Sequence, residues 1–359
     1  MSHNILITGG SGYLGGSLLA RWQEAKLPPY KKLYALVRTP EQAEAVRQYG
    51  AEPLLFNAWD ETAVREAVLE HELSVVFHLF SPVGTESQIC FFKALAELKR
   101  KTGVDVHFLH TTGAKIFSSH AGAPTDGPLF DDDPKLYDVQ KTQKAPFHWL
   151  QEAVETNNVV IEEAEKYGVL SYIFAPCIVY GKGEGFGNII SIQTVAIVKA
   201  AKAVKRVYRT ETDRPTWPVC HVSDNTALYL ALMRSILAGE RPSNGKNGYY
   251  LAASGSVAWD DLYAEMAKAM AKRGAVADEG VHTANDESLE AMGKVLGVPA
   301  PLVTIHIGGS CTFTAVRGAK ELNWKPVHPP EHILETADEE VQLILDNLDK
   351  PRTTAPGRP

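Results

Sequence analysis

Short apolar runs alternate with amphipathic segments through the first half of the chain. Most of the runs are apolar throughout instead of alternating with polar residues, which is typical of parallel strands covered on both faces. Segments with helical spacing follow the runs, as with Leu18, Leu19 and Trp22 after the first one. This alternation predicts an α/β fold with a doubly wound parallel sheet. The predicted strands are 4–8, 32–38, 52–57, 74–81, 106–113 and 171–181.

The first apolar run ends in a glycine-rich turn, and a helical pattern follows at once. Gly10, Gly12 and Gly15 have the G-x-G-x-x-G spacing. Glycines accept the backbone angles of a tight turn and let a pyrophosphate approach the main chain, while the N-terminus of the next helix favours negative charge. A strand, this turn and a helix together predict a dinucleotide site. Its predicted contacts are Gly9, Gly10, Ser11, Gly12, Tyr13, Leu14 and Gly15.

The second apolar run ends at Arg38 and Thr39, and this ending bears on the choice of dinucleotide. An acidic residue here would hydrogen-bond the ribose 2′-hydroxyl of NAD and repel a 2′-phosphate. A guanidinium instead suits bidentate phosphate binding. The sequence therefore favours NADP(H), and NAD(H) is the alternative if Arg38 stacks on the adenine or points to solvent.

Residues 118–147 interrupt the regular pattern, because Gly, Pro and Asp dominate there. A loop of this length is more often functional than idle, so we expect it to cover an active site. Its acidic run, Asp131 to Asp133, is interpreted as solvent-exposed. The predicted organisation is a dinucleotide-binding domain (1–185), a less regular substrate-binding region (186–347) and a disordered tail (348–359).

Composition limits the classes of partner. The 359 residues are 45% hydrophobic and 22% charged, with a net charge of −7, which gives no reason to expect nucleic acid or an anionic membrane as a partner. We find neither a membrane-spanning apolar run nor a secretory leader, so a cytoplasmic location is expected. The four cysteines are widely separated, as expected of reduced thiols, and no histidine or cysteine spacing indicates a metal site.

Several motifs, taken together and in order, resemble those of the extended short-chain dehydrogenase/reductase superfamily, specifically its NAD-dependent epimerase/dehydratase group. Residues 8–15 match its T-G-x-x-G-x-x-G motif. Residues 76–80 stand where the family has V-x-H-x-A, and residues 176–181 resemble the end of its R-P-x-x-V-Y-G motif. Residues 221–224 resemble H-V-x-D, and residues 321–326 resemble the C-terminal L-G-W-x-P motif.

The resemblance implies a Rossmann sheet, a smaller mixed C-terminal substrate domain, a nicotinamide cofactor and a homodimer. Asn57 stands where the family commonly has an aspartate beside the adenine, and an amide is still able to hydrogen-bond there. The further cofactor contacts that the resemblance implies are Ala58, Leu79, Phe80, Ser81, Thr111, Lys141, Pro176, Ile178 and Val179.

The family also implies a catalytic Tyr-x-x-x-Lys pair with a serine or threonine after strand five. Tyr137 has Lys141 four residues on, and it follows Thr112 by 25 residues. On a helix such a pair shares one face, where the ammonium would lower the phenol pKa and allow proton transfer near neutrality. We therefore expect Thr112, Tyr137 and Lys141 to be catalytic. An insertion must then separate Tyr137 from the helix that enters strand six, because Lys141 lies 35 residues before Pro176.

Other residues are weaker candidates for chemistry. His110 and Tyr180 are reserve acid–base groups, although a structural role is the better interpretation of each. The basic cluster of Lys199, Lys202, Lys205 and Arg206 would suit an anionic substrate, but a solvated helix face explains it more simply.

Three functions fit the sequence. The first is an NADP(H)-dependent oxidoreductase that interconverts a carbonyl and a secondary alcohol in a small organic substrate. The second is a nucleotide-sugar epimerase or dehydratase, which the basic cluster favours and Arg38 disfavours. The third is a binding protein that senses the cofactor without turnover.

Overall fold

The computed structural model describes residues 2–350. The strands, in chain order, are β1 (Asn4–Ile7), β2 (Lys32–Leu36), β3 (Glu52–Leu54), β4 (Leu73–His78), β5 (His107–Thr111), β6 (Leu129–Phe130), β7 (Leu170–Pro176), β8 (Ile178–Tyr180), β9 (Val207–Arg209), β10 (Thr216–His221), β11 (Tyr249–Ala252), β12 (Gly255–Ala258), β13 (Val281–Thr283) and β14 (Phe313–Thr314).

The helices, in chain order, are α1 (Tyr13–Arg21), α2 (Pro40–Arg47), α3 (Glu61–Glu70), α4 (Glu86–Thr102), α5 (Leu136–Thr142), α6 (His148–Lys166), α7 (Gln193–Val204), α8 (Val222–Leu237), α9 (Trp259–Lys272), α10 (Asp286–Leu296), α11 (Val303–Ile307), α12 (Arg317–Leu322), α13 (His332–Glu335) and α14 (Ala337–Asn347). Short 3₁₀ helices lie at Ala114–Phe117, Ser119–Ala121, Gly245–Asn247 and Ala300–Leu302.

The core of the molecule is a seven-stranded parallel sheet with the order β11-β7-β5-β4-β1-β2-β3. Strands β1 and β4 are buried along their whole length, as their continuously apolar sequences require. The predicted doubly wound α/β sheet is confirmed. The strand order reverses between β1 and β4, and in open sheets of this kind ligands bind beyond the carboxyl ends of the strands at such a switch point.

The seventh strand of the large sheet comes from the second half of the chain. Strand β11 pairs with β7 in parallel, although it lies within the predicted substrate-binding region 186–347. Helix α8 packs against α1, and a separate mixed sheet joins β12, β10 and β8. The large sheet therefore draws on both predicted regions.

The stretch 118–147 is more ordered than a loop, since it contains β6 and α5. Asp131 is buried and accepts hydrogen bonds from the backbone N–H groups of Leu251 (3.0 Å), Val316 (2.7 Å) and Arg317 (2.9 Å). The interpretation of the acidic run as solvent-exposed is therefore wrong for Asp131. This carboxylate anchors the stretch to the C-terminal part of the chain.

The sequence pattern predicts one helix from about residue 156 to 167 and another from 225 to 237 with Asp224 as its N-cap, and both helices begin elsewhere. Helix α6 begins at His148, whereas the sequence pattern places its start near residue 156. Helix α8 begins at Val222 with His221 as its N-cap, so Asp224 is not the cap that its position suggests. Instead Asp224 accepts hydrogen bonds from the backbone of Val327 and His328. Of the predicted tail, residues 351–359 lie outside the described residues, and Leu348 packs against the core.

Candidate functional site

A cavity of about 690 Å³ opens at the carboxyl edge of the large sheet, beside the glycine-rich turn. The turn after β1, the end of β2 and the loops after β3, β4 and β5 form its walls. Its lining residues are Gly9, Ser11, Gly12, Leu14, Leu36, Arg38, Gln42, Phe56, Asn57, Ala58, Trp59, Leu79, Phe80, Ser81, Pro82, Thr111, Thr112, Pro176 and Ile192.

The turn has the close packing that its glycines predict. Gly9 has a φ of +69°, and a Cβ atom there would lie 3.0 Å from the carbonyl oxygen of Leu79. A Cβ atom on Gly15 would lie 2.3 Å from the carbonyl oxygen of Gly9. Gly12 is the N-cap of α1 and has no side chain that could accept from the first backbone N–H groups, which lie at the positive end of the helix. These features fit a bound pyrophosphate.

Arg38 is the charged side chain among the lining residues, which include no aspartate and no glutamate. The backbone around it is fixed by α2. Gln42 accepts a hydrogen bond from the backbone N–H of Arg38 (3.0 Å), and Thr39 caps α2 by accepting from the backbone N–H of Gln42 (3.2 Å). The segment after β2 therefore contributes a cation and no carboxylate to the cavity lining.

Most of the predicted cofactor contacts line this cavity. The predicted contacts in the lining are Gly9, Ser11, Gly12, Leu14, Arg38, Asn57, Ala58, Leu79, Phe80, Ser81, Thr111 and Pro176. The predicted contacts outside the lining are Gly10, Tyr13, Gly15, Thr39, Lys141, Ile178 and Val179.

Some of the residues outside the lining shape the turn. A Cβ atom on Gly10 would lie 2.7 Å from Leu19 of α1, so this glycine lets the helix pack closely. The hydroxyl of Tyr13 donates to the carbonyl oxygen of Gly181 (2.6 Å), which directs the ring away from the cavity and toward the segment after β8.

Sequence reasoning missed six lining residues. Trp59 and Phe80 face each other there with ring centroids 5.1 Å apart, which provides an aromatic surface near Asn57. The sequence does contain a signal for two of these residues. Phe56 and Trp59 flank Asn57 directly after β3, and in a parallel sheet β3 ends at the same edge as β1 and its glycine-rich turn. The missed residues are Leu36, Gln42, Phe56, Trp59, Pro82 and Ile192.

Tyr137 and Lys141 do share one face of α5, but they do not lie near the cavity. The Tyr137 hydroxyl and the Lys141 ammonium both bind the carboxylate of Glu162 on α6. The Tyr137 ring also lies against the ammonium of Lys246, 5.1 Å from its centroid, in the 3₁₀ helix just before β11. That position is the amino edge of the parallel sheet. The seven residues of β7 separate the two edges by roughly 20 Å.

This placement does not fit the predicted catalytic pair. Burial and the Glu162 carboxylate raise the pKa of Tyr137, which is opposite to the lowering that catalysis would need. Thr112, the third member of the predicted set, does line the cavity, and its backbone N–H donates to the carbonyl oxygen of Phe174 (2.8 Å). The structure therefore does not bring the three residues together.

The helix that leads directly into β7 is α6, and its start lies at the carboxyl edge. Thr156, two turns into the helix, accepts a hydrogen bond from the backbone N–H of Gly84 in the loop after β4 (3.0 Å). Helix α6 contains no tyrosine, and its one lysine is Lys166 in the last turn, so a tyrosine–lysine pair does not occupy this position.

The reserve candidates are buried. His110 is fully buried, its ring nitrogens have no hydrogen-bond partner among the described residues, and burial lowers its pKa to about 4. The hydroxyl of Tyr180 lies 3.0 Å from Nδ1 of His332, and burial raises its pKa. Thr111 shares a 2.8 Å hydrogen bond with Tyr229 of α8. These contacts agree with structural roles for His110 and Tyr180.

Other sequence-based candidates carry little chemistry in this structure. Lys202, Lys205 and Arg206 are exposed at the end of α7, as expected of a solvated face. Within residues 2–350, no three His, Cys, Asp or Glu side chains are grouped so as to hold a metal ion. None of the helices in the same range is both long and apolar enough to cross a membrane.

The chain is similar to known proteins in sequence and in structure. An oxidase of Acremonium sp, ucsJ, is 23% identical over 347 residues, which are 92% of this chain and 94% of that protein. The UDP-glucose 4-epimerase of Thermotoga maritima, solved with UDP-glucose, has a TM-score of 0.61 at 15% identity and covers 96% of this chain and 100% of its own. The dTDP-glucose 4,6-dehydratase of Bacillus anthracis, solved with NAD, has a TM-score of 0.62 at 11% identity, with 96% and 97% covered.

The sequence model of the NAD dependent epimerase/dehydratase family matches residues 5–244, which contain the glycine-rich turn, the cavity lining and most of the large sheet. These solved structures share the doubly wound sheet. The chain belongs to the NAD dependent epimerase/dehydratase family.

Proposed function

We propose that this protein is an NADP(H)-dependent oxidoreductase that interconverts a carbonyl and a secondary alcohol in a small organic substrate. The observation that carries the proposal is the cavity over the N-terminus of α1, which has Arg38 as its charged lining residue and no carboxylate. A cytoplasmic location and a homodimer are part of the same proposal.

The preference for NADP(H) rests on charge. A 2′-phosphate placed at the end of β2 would meet a guanidinium, and it would meet no aspartate or glutamate of the lining. Hydrogen bonds to charged groups contribute about 1.5–3 kcal/mol each, so one such contact changes affinity by roughly 10- to 100-fold.

The bound cofactor would supply the hydride, and the chain would bind, orient and exclude water. The backbone of the glycine-rich turn would bind the pyrophosphate. The aromatic surface of Trp59 and Phe80 would pack against the adenosine half. Thr112 lines the cavity directly after β5, where its hydroxyl would be able to orient the reacting half of the cofactor and its substrate.

A second function, binding of NADP(H) without turnover, is favoured by one observation. Helix α6 contains no tyrosine, and the Tyr137–Lys141 pair lies at the other edge of the sheet. In this second function the chain would sense NADP(H) by binding it and would catalyse no reaction.

One experiment separates the two functions. NADPH binding is measured by fluorescence, and its oxidation is then followed with a panel of aldehydes and ketones. Binding with turnover of at least one compound supports the oxidoreductase. Binding without turnover of any compound supports the second function, and no binding of NADPH contradicts both.

A further inference from the structure

Lys115 follows β5 at the carboxyl edge of the sheet and is not itself a lining residue of the cavity. It lies in the 3₁₀ helix Ala114–Phe117 that follows β5, three residues after Thr112 of the cavity lining. Sequence reasoning did not single it out, because an isolated lysine has no motif.

The Lys115 ammonium is half-buried and lacks a counter-ion. Among the described residues it has no hydrogen bond and no carboxylate within 4.0 Å of Nζ. Burial alone lowers its pKa to about 8. A desolvated ammonium without a counter-ion is costly, and such groups are found preferentially at functional sites.

The wall that faces Lys115 is the segment around residues 306–311. The backbone N–H of Ser119 donates to the carbonyl oxygen of Ser310 (2.8 Å). His120 donates from Nε2 to the carbonyl oxygen of Gly308 (3.0 Å). These bonds hold α11 and its His306 against the stretch that follows β5.

Two imidazoles accompany the ammonium. The charge of Lys115 contributes to the lowered pKa values of His120 and His306, for which burial is the larger cause, and that of His306 is about 4. Both rings are therefore neutral near pH 7. Glu211 accepts from the backbone N–H of Gly309 (2.5 Å) and partly offsets the lowering of the His120 pKa, but it does not pair with Lys115.

We propose that Lys115 is the proton donor to the carbonyl oxygen of an aldehyde or ketone substrate, in a subsite shared with His120 and His306; this rests on the proposed oxidoreductase function. The carbonyl carbon accepts a hydride from NADPH, and the π electrons of the C=O bond move to the oxygen. The oxygen takes one proton from Nζ of Lys115. The products are an alcohol, NADP⁺ and a neutral amine, which takes a proton back from water.

The chemistry of an unpaired lysine suits this role. A general acid is most effective when its pKa lies near the working pH, and the desolvated Lys115 ammonium meets this condition. The hydroxyl of Thr112 is a much weaker acid, and α6 supplies no tyrosine.

The first test does not depend on turnover. Lysines of the whole protein are dimethylated with ¹³C-formaldehyde, and the pKa of each is read from its NMR signal. The Lys115 signal is assigned by its loss in Lys115→Arg. A titration near pH 8 is expected, whereas a titration near the ordinary 10.5 would overturn the proposal.

The second test uses Lys115→Met, Lys115→Arg and the exposed control Lys144→Met. Because general acids contribute about 10²–10⁴-fold, kcat should fall at least 100-fold in both Lys115 variants and not in the control, with NADPH affinity unchanged in all three.

Retention of wild-type kcat by Lys115→Arg would show a charge that binds the substrate and gives no proton, which overturns the proposal. Equal turnover by Lys115→Met and wild type also overturns it while the oxidoreductase function stands. Failure of the wild-type chain to bind NADPH or to turn over any compound contradicts the function itself and the proposal with it.

Discussion

The hydroxyl of Tyr137 donates its hydrogen bond to the carboxylate of Glu162, and the same carboxylate binds the ammonium of Lys141. The tyrosine and lysine thus have the spacing of a catalytic pair, yet they are joined to α6 at the amino edge of the sheet. Their contacts tie α5 to α6, which is a structural role.

Replacement of Tyr137 by phenylalanine should therefore leave catalysis intact. We expect kcat of Tyr137→Phe with NADPH to stay within twofold of wild type, because the hydroxyl lies far from the cavity. The free energy of unfolding should fall by about 1 kcal/mol, since one hydrogen bond is lost. Steady-state kinetics and urea unfolding check both values. A loss of 100-fold or more in kcat would restore Tyr137 to the mechanism.

Arg38→Ala should weaken NADPH binding by roughly 10- to 100-fold and leave NADH binding nearly unchanged. The reason is that Arg38 supplies the positive charge of the lining beside Gln42. Fluorescence titration with both nucleotides measures the two dissociation constants. Arg47→Ala is the matched control, because Arg47 lies at the last turn of α2 and pairs with Glu44 (3.1 Å). An equal loss for both nucleotides would contradict a contact to the 2′-phosphate.

Asp131→Asn should destabilise the protein by about 2–4 kcal/mol. Asp131 uses both carboxylate oxygens to accept backbone N–H groups, and an amide would turn an NH₂ group toward at least one of those donors. Chemical unfolding measures the change in free energy. Asp132→Asn is the control, because Asp132 pairs with the exposed Lys320 and such pairs contribute little. Equal effects of the two substitutions would contradict the anchoring role of Asp131.

The stability of the protein should depend on His110 at acidic pH. The folded-state pKa of His110 is lowered to about 4 by burial, from an ordinary value of 6.5. Above pH 6.5 the ring is neutral in both states, so it causes no pH dependence there. As the pH falls from 6.5 to 4, the unfolded chain binds a proton that the folded chain does not, and stability decreases by up to about 3 kcal/mol.

His110→Leu should remove this part of the decrease, and the exposed His148→Leu should not. The free energy of unfolding is measured for wild type and both variants at several values between pH 7 and pH 4. A pH profile of His110→Leu that parallels the wild type would contradict a neutral, buried His110.

The sequence predicts those parts of the fold and site that local chemistry determines. The glycine-rich turn and the positions of Arg38 after β2 and Asn57 after β3 follow from residues close together in the chain. The structure brings most of the predicted cofactor contacts to one cavity. The four-residue spacing of Tyr137 and Lys141 is also a local feature. It places both side chains on one face of a helix, but it does not determine at which edge of the sheet that helix lies.

The features that the sequence does not predict depend on contacts between segments that are far apart in the chain. The partners of Asp131 lie at least 120 positions away, and the segment that faces Lys115 is about 190 positions further along the chain. A polar residue in a Gly- and Pro-rich stretch resembles loop sequence until those partners are known. Helix α6 was also expected to start later, because its first turns carry exposed Trp149 next to buried Leu150 and lack a clear cap.

The central claim is that nucleotide phosphates bind against the backbone of the glycine-rich turn. Titration calorimetry of NADPH into the wild-type chain and Gly12→Val measures this directly, since Gly12 lines the cavity and a Cβ atom there meets only the carbonyl oxygen of Gly9, at 3.1 Å. Gly127→Val is the control, because no atom lies within 4 Å of a Cβ at that glycine. We predict one NADPH site per chain in the wild type and the control, and none in a folded Gly12→Val. Absence of binding to NADPH and NADH in the wild type, or undiminished binding in Gly12→Val, would contradict the account.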